Sequence, residues 1–229
     1  MAEAVATERR IIRVPPVVAF GSKFGKYKPE EEKEVRKVEV KEDKVLTQLK
    51  AAWRKLEAHK AIDFVYKDAL KLVEGIGYSA EDVGRFSLAL AEFDDKNPYW
   101  GYLSHKAGVF LSALINNGKD SRYVIHTGHL NLRINDLGFR NTKDITVNGD
   151  LGSNVGYGMR GGSITVNGNA GINVGLGMEA GTIIVNGNTG PEVGRKMEGG
   201  EIRIEGEYEA FDPLAGGRVY HKGNLIVDK

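Results

Sequence analysis

The chain has 229 residues and a net charge of +1, so its bulk charge gives no indication of a nucleic-acid or membrane-surface partner. It has no cysteine, which excludes disulfides, thiolate metal sites, cysteine-ligated iron–sulfur clusters and a cysteine nucleophile. The longest apolar stretch, Ala107 to Ile115, is under half of the roughly 20 residues that cross a bilayer. The sequence therefore predicts a cytoplasmic protein, and a charged fraction of 28%, rich in Glu and Lys, is typical of a thermophile.

Residues 1–28 are predicted to be an extended arm. They contain Pro15-Pro16 and carry six basic residues against two acidic ones. Such a segment is either a solvated tail that docks loosely or an arm that wraps a partner subunit. The mixed-charge run from Glu30 to Lys44 is predicted to form the solvated face of a helix or strand.

Residues 29–122 are predicted to be a helical region. Its first two helices have apolar residues at helical spacing, which places those residues on one face. The positions predicted to be buried are Val45, Leu49, Trp53 and Leu56 in the first helix, and Phe64, Leu72, Val73 and Ile76 in the second. Gly75 and Gly77 are expected to end the second helix.

Two further helices complete this region. Ser79 followed by Asp82 resembles a capping box and predicts the start of the third helix. A fourth helix is expected to begin near Pro98 and to stop at Asn117-Gly118. The positions predicted to be buried are Val83, Phe86, Leu90 and Phe93 in the third helix, and Leu103, Ala107, Phe110, Leu111 and Leu114 in the fourth.

The second half of the chain repeats with a period of 19 residues. Three copies, 144–162, 163–181 and 182–200, align without a gap. One position is shared by Ile145, Ile164, Ile183 and Ile202, and another by Val147, Val166, Val185 and Ile204. The structural repeat positions are Gly149, Gly152, Gly156 and Met159 in the first copy, Gly168, Gly171, Gly175 and Met178 in the second, and Gly187, Gly190, Gly194 and Met197 in the third.

This repeat predicts a parallel β-helix over residues 123–229, and hence an α+β protein with an N-terminal α-helical region. Ile-x-Val alternates like a half-buried strand, and the Asn-Gly that follows favours a turn. Nineteen residues suit one coil of a solenoid, and because 19 is not a multiple of six we expect the right-handed form. Asn148, Asn167 and Asn186 are expected to stack as an amide ladder.

The two ends of the solenoid depart from the repeat, as end repeats commonly do. Upstream, Leu130 to Gly138 looks like a shorter, degenerate coil. Downstream, the segment from Glu205 to Gly223 is interpreted as carrying a four-residue insertion, after which Leu225 to Val227 restores the strand. We expect the helical region to pack on the N-terminal end of the β-helix, because the first coil otherwise exposes an apolar end.

The glycine pattern from Gly149 to Gly162, repeated from Gly168 and from Gly187, resembles the GXGXG domain. That domain closes the large subunit of glutamate synthase, and it is similar to one of the subunits of formylmethanofuran dehydrogenase. The resemblance covers roughly residues 130–229 and implies a right-handed β-helix that holds catalytic domains in place. It implies no catalytic, cofactor-binding or metal-binding residue here, and the chain lacks the amidotransferase cysteine and the flavin-domain sequence of glutamate synthase.

The other polar residues of the second half could have either a functional or a structural role. Two histidines, His126 and His129, could ligate a metal but have no third ligand in the nearby sequence, so a junction between strand and coil is favoured. The Gly149–Gly158 stretch lacks the following helix of a phosphate loop, so turns are favoured. Further candidates with structural interpretations are Asp150, Asn169 and Asn188 for calcium, and Arg160, Glu179 and Glu198 as a solvated charge ladder.

Three functions remain open from the sequence. The first is a non-catalytic scaffold or subunit of a redox or amidotransfer assembly, and the second is a homo-oligomeric structural protein. The third is an enzyme with a site in the groove between helices and β-helix, walled by Tyr99 to Tyr102 and by the His126/His129 junction. We assign no catalytic role to the carboxylates of Asp94-Asp95, Glu207, Glu209 and Asp212, since no partner base or nucleophile is identifiable. No cofactor is expected, and the predicted partners are protein subunits or further copies of the chain.

Overall fold

The computed structural model describes residues 43–94, 100–211 and 216–229. Within these ranges, five helices precede a β-solenoid of about five turns, and both belong to one compact unit, Glu39–Lys229. The helices are α1 (Lys44–Lys55), α2 (Ile62–Val73), α3 (Ala80–Ala89), α4 (Ala91–Asp94) and α5 (Trp100–Asn117). The strands are β1 (Arg122–His126), β2 (Asp144–Asn148), β3 (Arg160–Asn167), β4 (Ala180–Val185), β5 (Glu201–Ile204), β6 (Arg218–His221) and β7 (Asn224–Asp228). The α+β class with a β-helix is confirmed.

Capping residues set where two of the helices begin. The Asp43 carboxylate accepts a 2.9 Å hydrogen bond from the Leu46 amide at the start of α1. The capping box predicted at Ser79 and Asp82 is present at the start of α3. Both caps satisfy amides that a helix leaves without intrahelical partners, which explains why the chain turns into a helix at these residues.

The predicted helical faces agree with the structure in α1, α3 and α5 but not in α2. Phe64, predicted to be buried, is 60% exposed, and the buried residues of α2 are Val65, Tyr66, Ala69 and Val73. Tyr66 packs edge-on to Phe139 of the first coil, with ring centroids 5.2 Å apart. Because of that contact, α2 is rotated about its axis by about one residue relative to the orientation that the spacing of its aliphatic residues predicts.

Some predictions in the first half concern residues outside the described ranges. These are the arm over 1–28, most of the mixed-charge run from Glu30 to Lys44, and the helix start near Pro98. The side chain of Leu103 is likewise outside them. The remaining positions predicted for α5, from Ala107 to Leu114, are buried.

The strands form one seven-stranded sheet in the order β1 to β7, with all neighbours parallel except β6 and β7. Ile145, Ile164, Ile183 and Ile202 are paired in register along the coil axis and are buried. The stacking of the 19-residue repeat is therefore confirmed. Isolated bridges on the other sides, such as Ile134 to Leu151 and Val193 to Phe211, close each coil around the apolar interior.

The amide ladder predicted on the outer surface is present. The Asn167 side-chain amide donates to the Asn148 side-chain oxygen at 3.0 Å, and Asn186 donates to Asn167 at 2.8 Å. A stacked amide ladder satisfies polar side chains along the axis and fixes the register of adjacent coils.

The two ends differ from what the sequence indicated. The first coil is longer than the repeat, since Tyr123 pairs with Ile145, 22 positions later. The last parallel strand is β6, where Val219 pairs with Ile202, 17 positions earlier. The interpretation of Leu225–Val227 as the next coil's strand after an insertion was wrong. These residues form β7, which returns antiparallel to β6 through a two-residue turn at Lys222-Gly223.

That turn has a clear physical basis. Lys222 and Gly223 have φ angles of 48° and 79°, and positive φ at both central residues matches the right-handed twist of a two-residue hairpin. None of the described helices is long and apolar enough to cross a membrane.

Candidate functional site

The repeated glycines and methionines lie at the corners and in the interior of the coils. Met159, Met178 and Met197 are fully buried. A side chain added at Gly156 would come within 2.5 Å of Ile183, and one at Gly175 within 2.5 Å of Ile202, in each case 27 positions later. Both glycines also have φ above 70°, a conformation that disfavours other residues. Each glycine therefore makes room for the isoleucine of a later coil.

Most of the other repeated glycines lie against backbone of the preceding coil. A Cβ at Gly187 would lie 2.5 Å from the Gly168 carbonyl oxygen, and one at Gly171 would lie 2.8 Å from the Gly152 carbonyl carbon. A Cβ at Gly152 would overlap the Asn135 side chain, and one at Gly190 would press on Ile172 at 3.1 Å. The geometry of the coil accounts for these positions without any ligand.

Helix α5 docks on the first coil through small residues. The space for a Cβ on Gly108 is taken by the Asn135 carbonyl group. The Ser112 hydroxyl donates to the Gly108 carbonyl at 2.7 Å and accepts from the Gly138 amide at 2.9 Å. The Ser104 hydroxyl donates to the Arg133 carbonyl and accepts from the Asn135 amide at 3.1 Å. Both hydroxyls are thus engaged with backbone, which makes them structural.

A histidine–aspartate pair lies at this same junction. His105 Nδ1 is 2.6 Å from Asp136 Oδ2, and the other carboxylate oxygen of Asp136 accepts a 2.8 Å hydrogen bond from the Asn154 side chain. The Asp136 side chain is 7% exposed and that of His105 is 24% exposed. The second ring nitrogen of His105 has no hydrogen bond to any described residue. A carboxylate that fixes one ring nitrogen orients the imidazole, so this pair could accept or deliver a proton at Nε2.

The backbone at Asp136 belongs to a column of the solenoid. Asp136, Asn154, Asn173 and Glu192 occupy equivalent positions, and their φ angles lie between 61° and 62°. Asn173 donates to Asn154 at 3.1 Å, so the column forms a second side-chain ladder. Asp and Asn tolerate this left-handed conformation better than most residues, and Asp136 therefore has a structural reason to be present.

Lys106, the residue that follows His105 in α5, is buried against a tryptophan. It is 8% exposed, and its ammonium group lies 4.4 Å from the centroid of the Trp53 ring. No ion pair joins Lys106 to another part of the described chain. Burial lowers the pKa of Lys106 to about 8, because a charged amine in an apolar environment lacks its hydration.

The other histidines do not converge. Nε2 of His129 lies 3.0 Å from the Leu88 carbonyl oxygen, while the His126 backbone amide donates to the Ser87 hydroxyl at 3.0 Å. Within the described ranges, no group of three or more His, Cys, Asp or Glu side chains could hold a metal ion. The structure thus places these two histidines at the contact between α3 and the first coil.

The remaining polar candidates also have structural contacts. Oδ1 of Asp150 accepts from the Asn169 amide at 2.8 Å, and Asn169 in turn accepts from the Asn188 amide at 2.8 Å. Arg160 lies 3.4 Å from Glu179 on an exposed edge. The Gly149–Gly158 stretch connects β2 to β3, so a strand follows it where a phosphate loop would have a helix.

The described residues line several open clefts. One, of about 760 Å³, lies between the loops at 75–79 and 117–120, where the Asp120 carboxylate accepts a 2.6 Å hydrogen bond from the Ala80 amide. A second, of about 320 Å³, has Arg85, Arg122 and His126 around Val124. A third, of about 350 Å³, lies at the corner of the first coils beside Arg133 and Asp150. In the first cleft, the Ser79 hydroxyl donates to the Asp82 carboxylate at 2.7 Å, so these two side chains serve the cap of α3.

Several predicted wall residues of the helix–coil groove lie outside the described part of the chain. These are Tyr99 and the side chains of Trp100 to Tyr102. The carboxylates of Asp94, Asp95 and Asp212, to which no role was assigned, also lie outside it. Glu207 is described, and it pairs with Lys222 at 2.6 Å.

No protein-family model, curated protein or solved structure matches the chain. The functional interpretation of the site residues therefore rests only on their geometry in the structure. Sequence reasoning missed the His105–Asp136 pair, because its members are 31 positions apart and on elements of different periodicity. Aligning Asp136-Leu-Gly with Asn154-Val-Gly would have shown Asp136 as a repeat position, but not its partner.

Proposed function

We propose that this chain is a non-catalytic scaffold, a β-helix protein that positions partner protein domains in a redox or amidotransfer complex. On the basis of the glycine pattern, we further propose that it is a subunit or a stand-alone homologue of the GXGXG domain that closes glutamate synthase.

One observation supports this proposal above others. The residues that recur in all three copies serve the architecture of the coil: apolar side chains fill the interior, glycines admit neighbouring backbone, and asparagines form ladders. Glycine provides geometry and no reactive group. What is repeated in this protein therefore builds a rigid body, and a rigid body can hold other domains at a fixed distance.

The proposal is tested by purifying the native protein from its source cells and identifying what travels with it. We expect a stoichiometric protein partner carrying flavin, an iron–sulfur cluster or a glutaminase domain, and a colourless chain once that partner is removed. An isolated chain that holds stoichiometric flavin or iron would contradict the scaffold role.

A second candidate is an enzyme whose site is the groove between α5 and the first coil. The His105–Asp136 pair favours it, because an oriented, partly exposed imidazole is a common proton-transfer group. The variant His105→Gln separates the two functions. A scaffold retains its partner with this change, whereas an enzyme of this groove loses turnover while its partner binding is unaffected.

A further inference from the structure

Four asparagines of the chain are followed directly by glycine, and all four lie in the described ranges. They are Asn117, Asn148, Asn167 and Asn186. Asparagine is thermolabile, because the backbone nitrogen of the next residue can attack the carbon of its side-chain amide. Glycine has no Cβ to hinder that attack, so the sequence marks these four pairs as the most susceptible to the reaction.

Three of the pairs have almost the same local sequence. Asn148, Asn167 and Asn186 are each preceded by valine, and each of their glycines is followed by aspartate or asparagine. All three asparagines are exposed and belong to the outer amide ladder. A difference in reactivity among these three must therefore come from the structure.

The attacking nitrogen is held differently in the four pairs. The Gly149 N–H donates to the Asn167 carbonyl oxygen at 3.3 Å. The Gly187 N–H donates to the Gly168 carbonyl oxygen at 2.9 Å, and the Gly118 N–H donates within the last turn of α5, also at 2.9 Å. The Gly168 N–H itself donates to none of the residues that the structure describes. Because an engaged N–H must give up its hydrogen bond before the nitrogen can react, Gly168 has the nitrogen that is freest to attack.

The side-chain amide next to this nitrogen is polarised. Oδ1 of Asn167 accepts a 2.8 Å hydrogen bond from Nδ2 of Asn186. A donor on this oxygen stabilises the negative charge that develops there when the side-chain carbon is attacked. Asn148 has a similar donor, since Asn167 donates to its Oδ1 at 3.0 Å, but the nitrogen of its glycine is engaged. Of the four pairs, Asn167-Gly168 is the one that combines a polarised amide with an unengaged nitrogen.

We propose that Asn167 is a site of spontaneous deamidation. The Gly168 nitrogen forms a bond to Cγ of Asn167, its proton passes to hydroxide or water, and the side-chain nitrogen leaves as ammonia. Water then opens the resulting cyclic imide at either of its two carbonyl carbons. The net reaction takes up water and releases ammonia, and it leaves aspartate or isoaspartate at position 167.

The modification weakens the ladder at its middle rung. An ionised carboxylate has no proton to donate, so the hydrogen bond from Asn167 to Asn148 is lost. Isoaspartate also adds a methylene to the backbone at the end of β3, where the strand pairs in register with β2. We therefore expect the modified chain to unfold at a lower urea concentration. This inference rests on the ladder and does not depend on the scaffold role.

Mass spectrometry of the full chain, incubated at mildly alkaline pH and then digested, tests the proposal, with each modified residue located by fragmentation. In the folded protein, Asn167 should be converted several-fold faster than Asn117, Asn148 and Asn186. In guanidinium chloride at the same pH, the three Val-Asn-Gly pairs should react at similar rates, because their hydrogen bonds are gone. Equal rates in the folded protein, or a preference for Asn167 that persists unchanged after unfolding, would overturn the proposal.

Two glutamine variants provide a matched comparison. Asn167→Gln keeps an amide at this rung but cyclises far more slowly, so most of the acidic species that ion exchange resolves from incubated wild-type protein should disappear. Asn148→Gln changes the neighbouring rung, whose glycine nitrogen is engaged, and should accumulate the acidic species at the wild-type rate. An acidic species that forms as fast in Asn167→Gln as in the wild type contradicts the assignment. None of these outcomes bears on partner capture from source cells, so the deamidation and the scaffold role fail separately.

Discussion

Met178 shows how a single residue holds neighbouring coils together. Its side chain is fully buried, and its methyl group occupies the space that a Cβ on Gly200 would need, 2.6 Å away. We expect Met178→Asp to lower the free energy of unfolding by about 3 kcal/mol or more, because it places an unpaired charge among apolar rungs. Urea unfolding measures the loss.

Met178→Leu is the control for this substitution. Leucine conserves volume and polarity, so the free energy of unfolding should fall by less than about 1.5 kcal/mol. If the aspartate variant unfolded at the wild-type urea concentration, the interior position of the methionine ladder would be wrong.

Lys106 should give the protein an unusual pH dependence. Its pKa is about 8 in the folded chain, because of burial, against 10.5 for an ordinary lysine. Between these pH values the unfolded chain binds the proton and the folded chain does not, so stability rises as pH increases from 8 towards 10. We expect a rise of about 1–2 kcal/mol, allowing for partial solvation. Burial also raises the pKa of Tyr123, to about 12, so stability should fall again above pH 10.

Lys106→Met removes the titrating group, and the rise between pH 8 and 10 should disappear in urea titrations at each pH. Lys119 is exposed, so Lys119→Met should leave the wild-type rise in place. A wild-type stability that is flat or falling over this interval would contradict the burial of a chargeable Lys106.

Residues were predictable from sequence where they repeat. The isoleucine column and the Asn148–Asn186 ladder could both be read from the 19-residue period, because stacking converts equal spacing into contact. The exposure of Phe64 and the contact between His105 and Asp136 could not be predicted from the sequence. The face of α2 is set by the packing of Tyr66 on Phe139, and the pair joins elements whose docking no local pattern encodes.

At the scale of elements, α3 and α5 act as the cover of the first coil. A fragment that starts near Tyr123 would expose the edge of β1 and the apolar side chains under the helices, such as Ile134 and Leu137, which are fully buried. We expect this fragment to form large aggregates, detected by light scattering, while the full chain does not aggregate under the same conditions. A stable, soluble fragment of dimer size or smaller would refute the capping role of the helices.

Elements were predictable where a local signal marks their ends. The capping box at Ser79 and the stop at Asn117-Gly118 gave the start of α3 and the end of α5 closely, whereas the stripe predicted as far as Phe93 is divided between α3 and α4. The hairpin was missed for two reasons. Lys-Gly is not among the dipeptides that favour a two-residue turn, and the sequence of an aliphatic strand does not indicate whether it pairs parallel or antiparallel with its neighbour. The short helix α4 lacked any signal of its own.

At the largest scale, the described residues of the unit Glu39–Lys229 form a β-solenoid that is capped by helices. About five coils at the strand spacing of about 4.8 Å give a solenoid roughly 25 Å long. Helices cover one end, and the hairpin closes the other. The α+β class and the packing of the helices on the first coil were predictable, since repeats need caps. The right-handed winding stays a prediction, as does the membership of the GXGXG family.

The interlock between glycine and isoleucine restricts how such a chain can evolve. Gly156 leaves space for Ile183, and Gly175 for Ile202, each 27 positions later, so the repeat positions of successive copies depend on one another. Inserting or deleting a single residue within a coil destroys that match above and below, whereas duplicating a complete 19-residue unit preserves it. Within the three 19-residue copies, changes in length are therefore expected to occur in whole turns, whereas the end coils, with strand spacings of 22 and 17 positions, depart from the period. Each such duplication lengthens the solenoid by about 4.8 Å, so its length changes in steps of one coil spacing.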